Sequence, residues 1–98
     1  MVVIRNVFQC KPGQAKALVA KLKGSLEIMK SEGSVKAGRV MTDAVATFWT
    51  VVFETEVESL EAWERAFSSY GSNPELQKAM DGYMDFVEGG HREIWRVE

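Results

Sequence analysis

Four side chains of this sequence could act on a small molecule, namely Asn6, Trp63, Tyr83 and His91. Asn6 is the most informative of them, because it interrupts the apolar alternation of Val2, Ile4 and Phe8 within a segment typical of a strand. If that strand face lines a pocket, the Asn6 amide can orient a substrate carbonyl or dioxygen. If the face lies inside the core, the amide must instead pair with a neighbouring polar group.

The other candidates also have two interpretations each. His91 is the one side chain expected to titrate near neutrality, so it is a candidate general base. Trp63, Tyr70 and Tyr83 could project into a pocket, but they also fit the apolar stripes of helices, which packing alone explains. Cys10 has no evident base beside it in the sequence, which argues against a nucleophile.

Three arginines lie on predicted strands and could add positive charge to a binding site, namely Arg39, Arg92 and Arg96. They could bind an anionic substrate, or they could pair with Glu54 and Glu93. Ion pairing is the simpler of the two interpretations, and the sequence alone leaves both open.

Composition limits the class of protein. The 98 residues are enough for one domain, residues 1–98, and 46% of them are hydrophobic, as expected for a filled core. The net charge of -2 and the pI of about 5.5 give no basic field for nucleic acid. One cysteine and one histidine cannot form a zinc cluster. With no signal peptide or bilayer-length apolar run, we expect a cytoplasmic protein without membrane partner, metal or cofactor.

The elements that position these side chains can be read from apolar spacing. Strands are predicted at residues 2–9, 35–42, 46–57 and 91–97, and helices at residues 14–31, 59–70 and 74–87. The strand at 46–57 has two largely apolar faces, so we expect it at the centre of a sheet covered on both sides. The order predicts an α+β, ferredoxin-like β-α-β-β-α-β fold.

Such a fold has a four-stranded antiparallel sheet with its helices on one face, which leaves the other face open. The apolar side chains of residues 46–57 would then form an exposed patch of the kind that marks an interface. A second copy of the chain is the simplest cover, so we expect a homodimer formed through the open sheet face.

Several short segments carry a resemblance to a known superfamily. They are Lys11-Pro12-Gly13 after the first strand, Gly38-Arg39-Val40-Met41-Thr42-Asp43, Thr50-Val51-Val52-Phe53-Glu54, Ser59-Leu60-Glu61-Ala62-Trp63-Glu64, Asn73-Pro74-Glu75 and Arg92-Glu93-Ile94-Trp95. With these segments the chain resembles the dimeric α/β-barrel superfamily, and within it the NIPSNAP-like and antibiotic-biosynthesis-monooxygenase-like domains. The resemblance covers essentially the whole length and implies two sheets packed face to face across a dimer, with a pocket between sheet and helices in each subunit.

The resemblance also implies roles for particular residues. Similar cofactor-free and haem-degrading proteins use an asparagine on strand one and a tryptophan on the second helix, which Asn6 and Trp63 match by position. The haem-degrading proteins add a histidine later on that helix, where this chain has Ala79-Met80-Asp81. Met80 would be only a weak axial ligand.

Three functions follow from these observations. The first is small-molecule binding, with cofactor-independent monooxygenase or isomerase activity on an apolar metabolite in a sheet and helix pocket. The alternative is a non-catalytic, NIPSNAP-like ligand-binding or interaction module, and a weaker one is a haem-binding or haem-degrading protein. A fold of this kind does not choose among them.

Overall fold

The protein has four strands and three α-helices, and the computed structural model describes residues 1–98. In chain order they are β1 (Val2–Cys10), α1 (Ala15–Ser31), β2 (Ala37–Thr42), β3 (Thr50–Val57), α2 (Leu60–Ser68), α3 (Pro74–Ala79) and β4 (Val87–Arg96). The sheet order is β2-β3-β1-β4 and every neighbouring pair is antiparallel. The predicted ferredoxin-like β-α-β-β-α-β fold is therefore confirmed. None of the helices combines the length and the apolar character that crossing a bilayer requires.

The core lies between α1 and the sheet. Leu18, Leu22 and Leu26 recur at helical spacing on α1 and are buried, and they belong to one cluster with Val51 and Phe53 of β3. Burial of such side chains contributes roughly 1.5 to 3 kcal/mol each to folding. This packing fixes α1 against one half of the sheet.

Gly33 ends α1 as the sequence predicted. Its φ of 75° is in the left-handed region. Its N–H donates to the Lys30 carbonyl, and the N–H of Ser34 donates to the Met29 carbonyl. These two bonds form a Schellman motif, which satisfies carbonyls that the helix end would otherwise leave unpaired.

The prediction for the start of β3 was wrong. The strand begins at Thr50, and residues 44–49 form a loop although they include β-branched and aromatic residues. Asp43 closes this loop, because its N–H donates to the Thr50 carbonyl and its carboxylate accepts from the Thr50 N–H. Trp49 has a φ of 61°, a left-handed conformation that ends strand geometry at this residue.

The prediction of two apolar faces on the central strand was also wrong. Val51, Phe53, Thr55 and Val57 point towards the helices and are buried. The opposite face, which no helix covers, carries a different set from β3, namely Thr50, Val52, Glu54 and Glu56. The central strand therefore presents mainly polar groups on the uncovered sheet face.

The C-terminal third differs from the prediction as well. The helix expected over 74–87 ends at Ala79, because Gly82 takes a left-handed φ of 75° and starts a separate 3-10 turn, Tyr83–Phe86. Gly89 and Gly90 were expected to stop a helix, but they lie inside β4. At Gly90 the Val7 carbonyl oxygen occupies the space that a Cβ would need, so this position requires glycine.

Candidate functional site

A cavity of about 310 Å³ lies between the sheet and the helices. Most of its lining is apolar: Ile4 and Phe8 from β1, Phe53 from β3, Leu22 and Met29 from α1, and Trp63 from α2. Its volume is at the lower end of the range for small-molecule sites. A shallow depression on the outer side of α2 is lined only by polar residues of that helix, so it is a solvated helix face.

The helix α2 closes the cavity on one side without packing tightly on the sheet. Ser59 caps its N-terminus by accepting from the Ala62 N–H, and Glu61 lies in the first turn, so the helix is well defined. None of its residues is buried, and Phe67 is 56% exposed. The apolar side of α2 therefore faces the cavity instead of a filled core.

Strand alternation directs Asn6 into this cavity, together with Ile4 and Phe8 on the same face of β1. In the pairing of β1 with β4, Asn6 lies opposite Arg92. The Arg92 Nε donates to the Asn6 Oδ1 over 2.6 Å. Arg92 also points into the cavity, because a residue paired with Asn6 on the neighbouring strand lies on the same face of the sheet.

Two aromatic rings of α2 hold the other side of Arg92. The guanidinium carbon lies 5.1 Å from the ring centre of Trp63 and 5.1 Å from that of Phe67. These are cation–π distances, and the two rings are themselves 5.3 Å apart. Arg92 thus connects the sheet to α2 at the margin of the cavity.

Two tyrosines also line the cavity. Tyr83 packs its ring edge to face on Phe8, with 6.4 Å between ring centres. The hydroxyl groups of Tyr70 and Tyr83 make no hydrogen bond within the protein and are not sealed from solvent. Burial raises the pKa of Tyr70, so its phenol stays protonated near neutrality and is available as a hydrogen-bond donor.

The structure brings together three of the four predicted site residues, Asn6, Trp63 and Tyr83, and separates the fourth. His91 lies within β4, on the opposite sheet face, where its Nε2 is 2.9 Å from the Glu93 carboxylate. Glu93 also accepts from the Trp95 indole, and these two contacts hold its pKa below the usual value. His91 therefore does not line the cavity.

The donors in the cavity are a poor match for haem. Haem iron is held by histidine, thiolate, methionine or tyrosinate. The single histidine lies on the other sheet face, and Cys10 is a buried core residue whose pKa burial raises. Tyr70 has a raised pKa that disfavours a phenolate, and Met80 is a weak ligand. No group of three or more His, Cys, Asp and Glu side chains is placed to hold a metal ion.

Sequence reasoning considered Arg92 only as one of three strand arginines. The structure distinguishes them, because Arg39 pairs with Glu54 whereas Arg92 enters the cavity. The signal was present in the alternation of β4, which places Arg92 and Glu93 on opposite faces. What was missing was the register that brings Arg92 beside Asn6, 86 residues earlier.

Solved structures share this fold. A protein of Chloroflexus aurantiacus, named provisionally as an antibiotic biosynthesis monooxygenase, matches with a TM-score of 0.76 and 17% identity over 99% of this chain and 93% of its own. A NIPSNAP family protein of unknown function from Agrobacterium tumefaciens matches with a TM-score of 0.83 and 15% identity over 99% and 87%. An uncharacterised NIPSNAP domain protein from Burkholderia xenovorans matches with 0.79 and 14% over 100% and 95%.

The structural neighbours are therefore NIPSNAP-family and antibiotic-biosynthesis-monooxygenase-like proteins, which confirms the fold resemblance predicted from the sequence. At these identities the likeness extends to the fold alone. No protein-family profile matches the sequence, and no curated protein matches it.

Proposed function

We propose that the protein binds a small, largely apolar molecule in the cavity between its sheet and α2. The observation that carries this proposal is the cavity itself, with about 310 Å³ of space behind a helix that buries none of its own residues. Packed cores rarely leave such a volume open. An apolar ligand would fill this space and make the contacts that core side chains make elsewhere.

We further propose that the protein acts on this molecule as a cofactor-independent monooxygenase or isomerase. Both reactions proceed through an electron-rich form of the substrate, such as an enolate or phenolate. Four groups support it by lining the cavity as hydrogen-bond donors, namely Asn6, Tyr70, Tyr83 and Arg92. Donors fixed in an apolar site stabilise developing negative charge more than they would in water.

The second candidate is a non-catalytic binding module, and one observation favours it. Of the groups that could remove a proton, His91 lies on the opposite sheet face and Glu32 accepts two hydrogen bonds from Asn73. Substrate binding would then not be followed by base catalysis unless the substrate enters already ionised. The two candidates share the cavity and differ in turnover.

Native mass spectrometry of the protein purified from its own host tests binding. We expect a bound small molecule, which Ala66→Phe should exclude because Ala66 lines the cavity. The matched control is Ala20→Phe, at an exposed position of α1 outside the lining. Equal loading of Ala66→Phe and wild type would contradict the cavity as the site.

Incubation of the identified molecule with the protein in air then separates the two candidates. A cofactor-independent monooxygenase would consume dioxygen, add one oxygen atom to the molecule and release the other as water, with the two electrons and two hydrogens taken from the molecule itself. An isomerase would give a product of unchanged mass and altered retention. Recovery of the unchanged molecule with no dioxygen uptake would reject both enzymatic functions and leave the binding module.

For the assembly we propose a homodimer formed through the uncovered sheet face. Apolar side chains on that face support it, namely Val3, Val7, Met41, Val52 and Trp95, and Trp95 is 55% exposed. Four of the charged groups on that face, Arg5, Arg39, Glu54 and Glu93, are already paired within the subunit, which lowers the cost of burying them. Light scattering at micromolar concentration tests this proposal, and a monomer would reject it.

A further inference from the structure

We propose that the ligand of the cavity carries one carboxylate, which Arg92 and Asn6 bind at the cavity margin while its apolar part occupies the interior. This inference rests on the proposed binding function and names the chemical class of its ligand.

The charge of Arg92 has no acidic partner in the protein. On the other sheet face Arg5 lies 2.7 Å from Glu54, and Arg39 lies 2.8 Å from the same carboxylate. Arg92 has no carboxylate within ion-pair distance, and its contacts are the Asn6 amide and two aromatic rings. Glu32, the acidic residue of the cavity lining, is bonded to Asn73 instead. The guanidinium of Arg92 is therefore not paired with any carboxylate of the protein, and the Glu32 carboxylate of the lining is a separate group.

The Arg92 contacts also leave its most useful donors free. Only Nε is used, in the bond to Asn6, so both terminal Nη groups lack a partner in the protein. The rings of Trp63 and Phe67, which are tilted by 36° to each other, restrict the guanidinium without using its N–H groups. A guanidinium held in this way is prepared to bind a planar two-oxygen anion through parallel hydrogen bonds.

Asn6 adds a second set of donors beside it. Arginine can only donate, so the Asn6 atom facing Arg92 must be its oxygen, and this contact fixes the orientation of the amide. The Asn6 NH₂ group consequently points away from Arg92 and has no acceptor within the protein. The Arg92 Nη groups and the Asn6 NH₂ group are thus unpaired donors on neighbouring strands, and the Asn6 oxygen between them is already bonded to the Arg92 Nε. Such donors are complementary to an anion.

Most of the remaining lining favours a ligand that is apolar away from this charge. Ile4, Phe8 and Phe53 form the sheet side of the cavity, and Leu22 and Met29 form the α1 side. Arg92 itself is exposed, so its terminal groups are at the solvent margin. A fully charged or sugar-like ligand would leave polar groups unpaired against these side chains. An apolar monocarboxylate satisfies both regions at once.

The test compares two probes of equal shape, decanoate and decanamide, by isothermal titration calorimetry on the full chain at pH 7. We expect decanoate to bind at least about tenfold more tightly, as a charge-assisted hydrogen bond would give. Arg92→Met should remove this preference while leaving decanamide affinity within about twofold. Added salt should weaken decanoate binding and not decanamide binding.

Arg96→Met is the matched control, because Arg96 lies on the same face of β4 but outside the cavity lining. It should retain the full preference for decanoate. Equal binding of both probes to the wild type, or loss of the preference in Arg96→Met alone, would overturn the inference and leave the proposed binding function intact. If neither probe binds, and wild type and Ala66→Phe also carry equal amounts of ligand in native mass spectrometry, the binding function and the inference are rejected together.

Discussion

Arg5 and Glu54 face each other from neighbouring strands on the uncovered side of the sheet, with the Arg5 Nη2 2.7 Å from the Glu54 Oε1. Glu54 also accepts from Arg39, and Arg5 reaches Glu93 at 3.5 Å. The four side chains form one row of alternating charge across all four strands, β2, β3, β1 and β4. We name the set of Arg39, Glu54, Arg5 and Glu93 the charge row.

Removal of the central carboxylate should weaken the charge row at both of its arginines. Glu54 is 9% exposed and is bonded by Arg5 and Arg39. Glu54→Gln keeps the shape and loses the charge, so we expect the free energy of unfolding to fall by about 1 kcal/mol, since both arginines are partly solvated. Urea denaturation measures the change. Glu56→Gln, on the same face of β3 without such contacts, is the control and should have no measurable effect.

The stability that Glu54 contributes should depend on pH in a defined direction. The hydrogen bond from Arg5 lowers the pKa of Glu54, with a smaller effect from Arg39. A lowered folded pKa adds stability that is complete above the ordinary glutamate pKa of about 4.3 and is lost as pH falls through the folded value. The stability difference between wild type and Glu54→Gln should therefore stay constant from about pH 5 to 7 and shrink below about pH 4. A difference that grew on acidification would contradict this assignment.

The two adjacent glycines of β4 should respond differently to the same substitution. A Cβ at Gly90 would clash with the Val7 carbonyl oxygen, whereas a Cβ at Gly89 would meet no atom within 4 Å. Gly90→Ala must displace β4 from β1, so we expect a loss of about 1 to 3 kcal/mol. Gly89→Ala should change stability by no more than about 0.5 kcal/mol. Thermal unfolding of both variants measures this contrast, and equal melting temperatures would rule it out.

The proposed homodimer makes a prediction for Val7, which lies on the uncovered sheet face opposite Val52. Val7→Asp would place an unpaired charge in the interface, so it should give a monomer by light scattering at concentrations where the wild type is a dimer. Val45→Asp introduces the same charge at a loop residue that is 98% exposed, and it should leave the dimer intact. Circular dichroism would establish that both variants are folded. A folded, dimeric Val7→Asp variant would show that the interface does not lie on this sheet face.

Asn73 has two structural roles that substitutions can separate. Its Oδ1 caps α3 by accepting from the Leu76 N–H, and its Nδ2 donates to both oxygens of Glu32 at 2.8 and 2.9 Å. Asn73→Ala should cost more than the roughly 1 kcal/mol expected for Ser59→Ala, which removes only a cap. Asn73→Asp keeps the cap but sets a carboxylate against Glu32. Its stability should be recovered by adding Glu32→Gln, and an absence of recovery would reject the Glu32 contact.

Apolar spacing predicted the order of the elements because most of them carry an apolar face, whether it is buried, as in α1, or lines the cavity, as in α2. Leu18, Leu22 and Leu26 are an example, since helical spacing alone places them on the side of α1 that packs on the sheet. The same reasoning failed at residues 44–49. Their composition favours a strand, but the two hydrogen bonds between Asp43 and Thr50 close a loop there. Local propensity does not include such contacts.

The site was predictable as far as patterns within single elements identify its residues. Asn6 was recognised because it breaks an apolar face, and it does line the cavity. Its partner Arg92 was not singled out, because their contact depends on the register between the first and last strands. His91 was grouped with the site residues because it is the one side chain expected to titrate near neutrality, which says nothing of the sheet face on which it lies. The longer strand that the structure shows places its side chain on the other face.

Because α2 buries none of its residues, the proposed ligand would supply packing that this helix lacks, and the cell's supply of that ligand would affect how long the protein persists. A ligand that binds only the folded chain raises the free energy of unfolding by RT ln(1 + [L]/Kd), or about 2.7 kcal/mol at a hundredfold excess over Kd. Unfolded chains are removed by proteases, so a difference of this size changes abundance several-fold. The protein would accumulate when its ligand is plentiful and be degraded when the ligand is scarce, without any change in its synthesis.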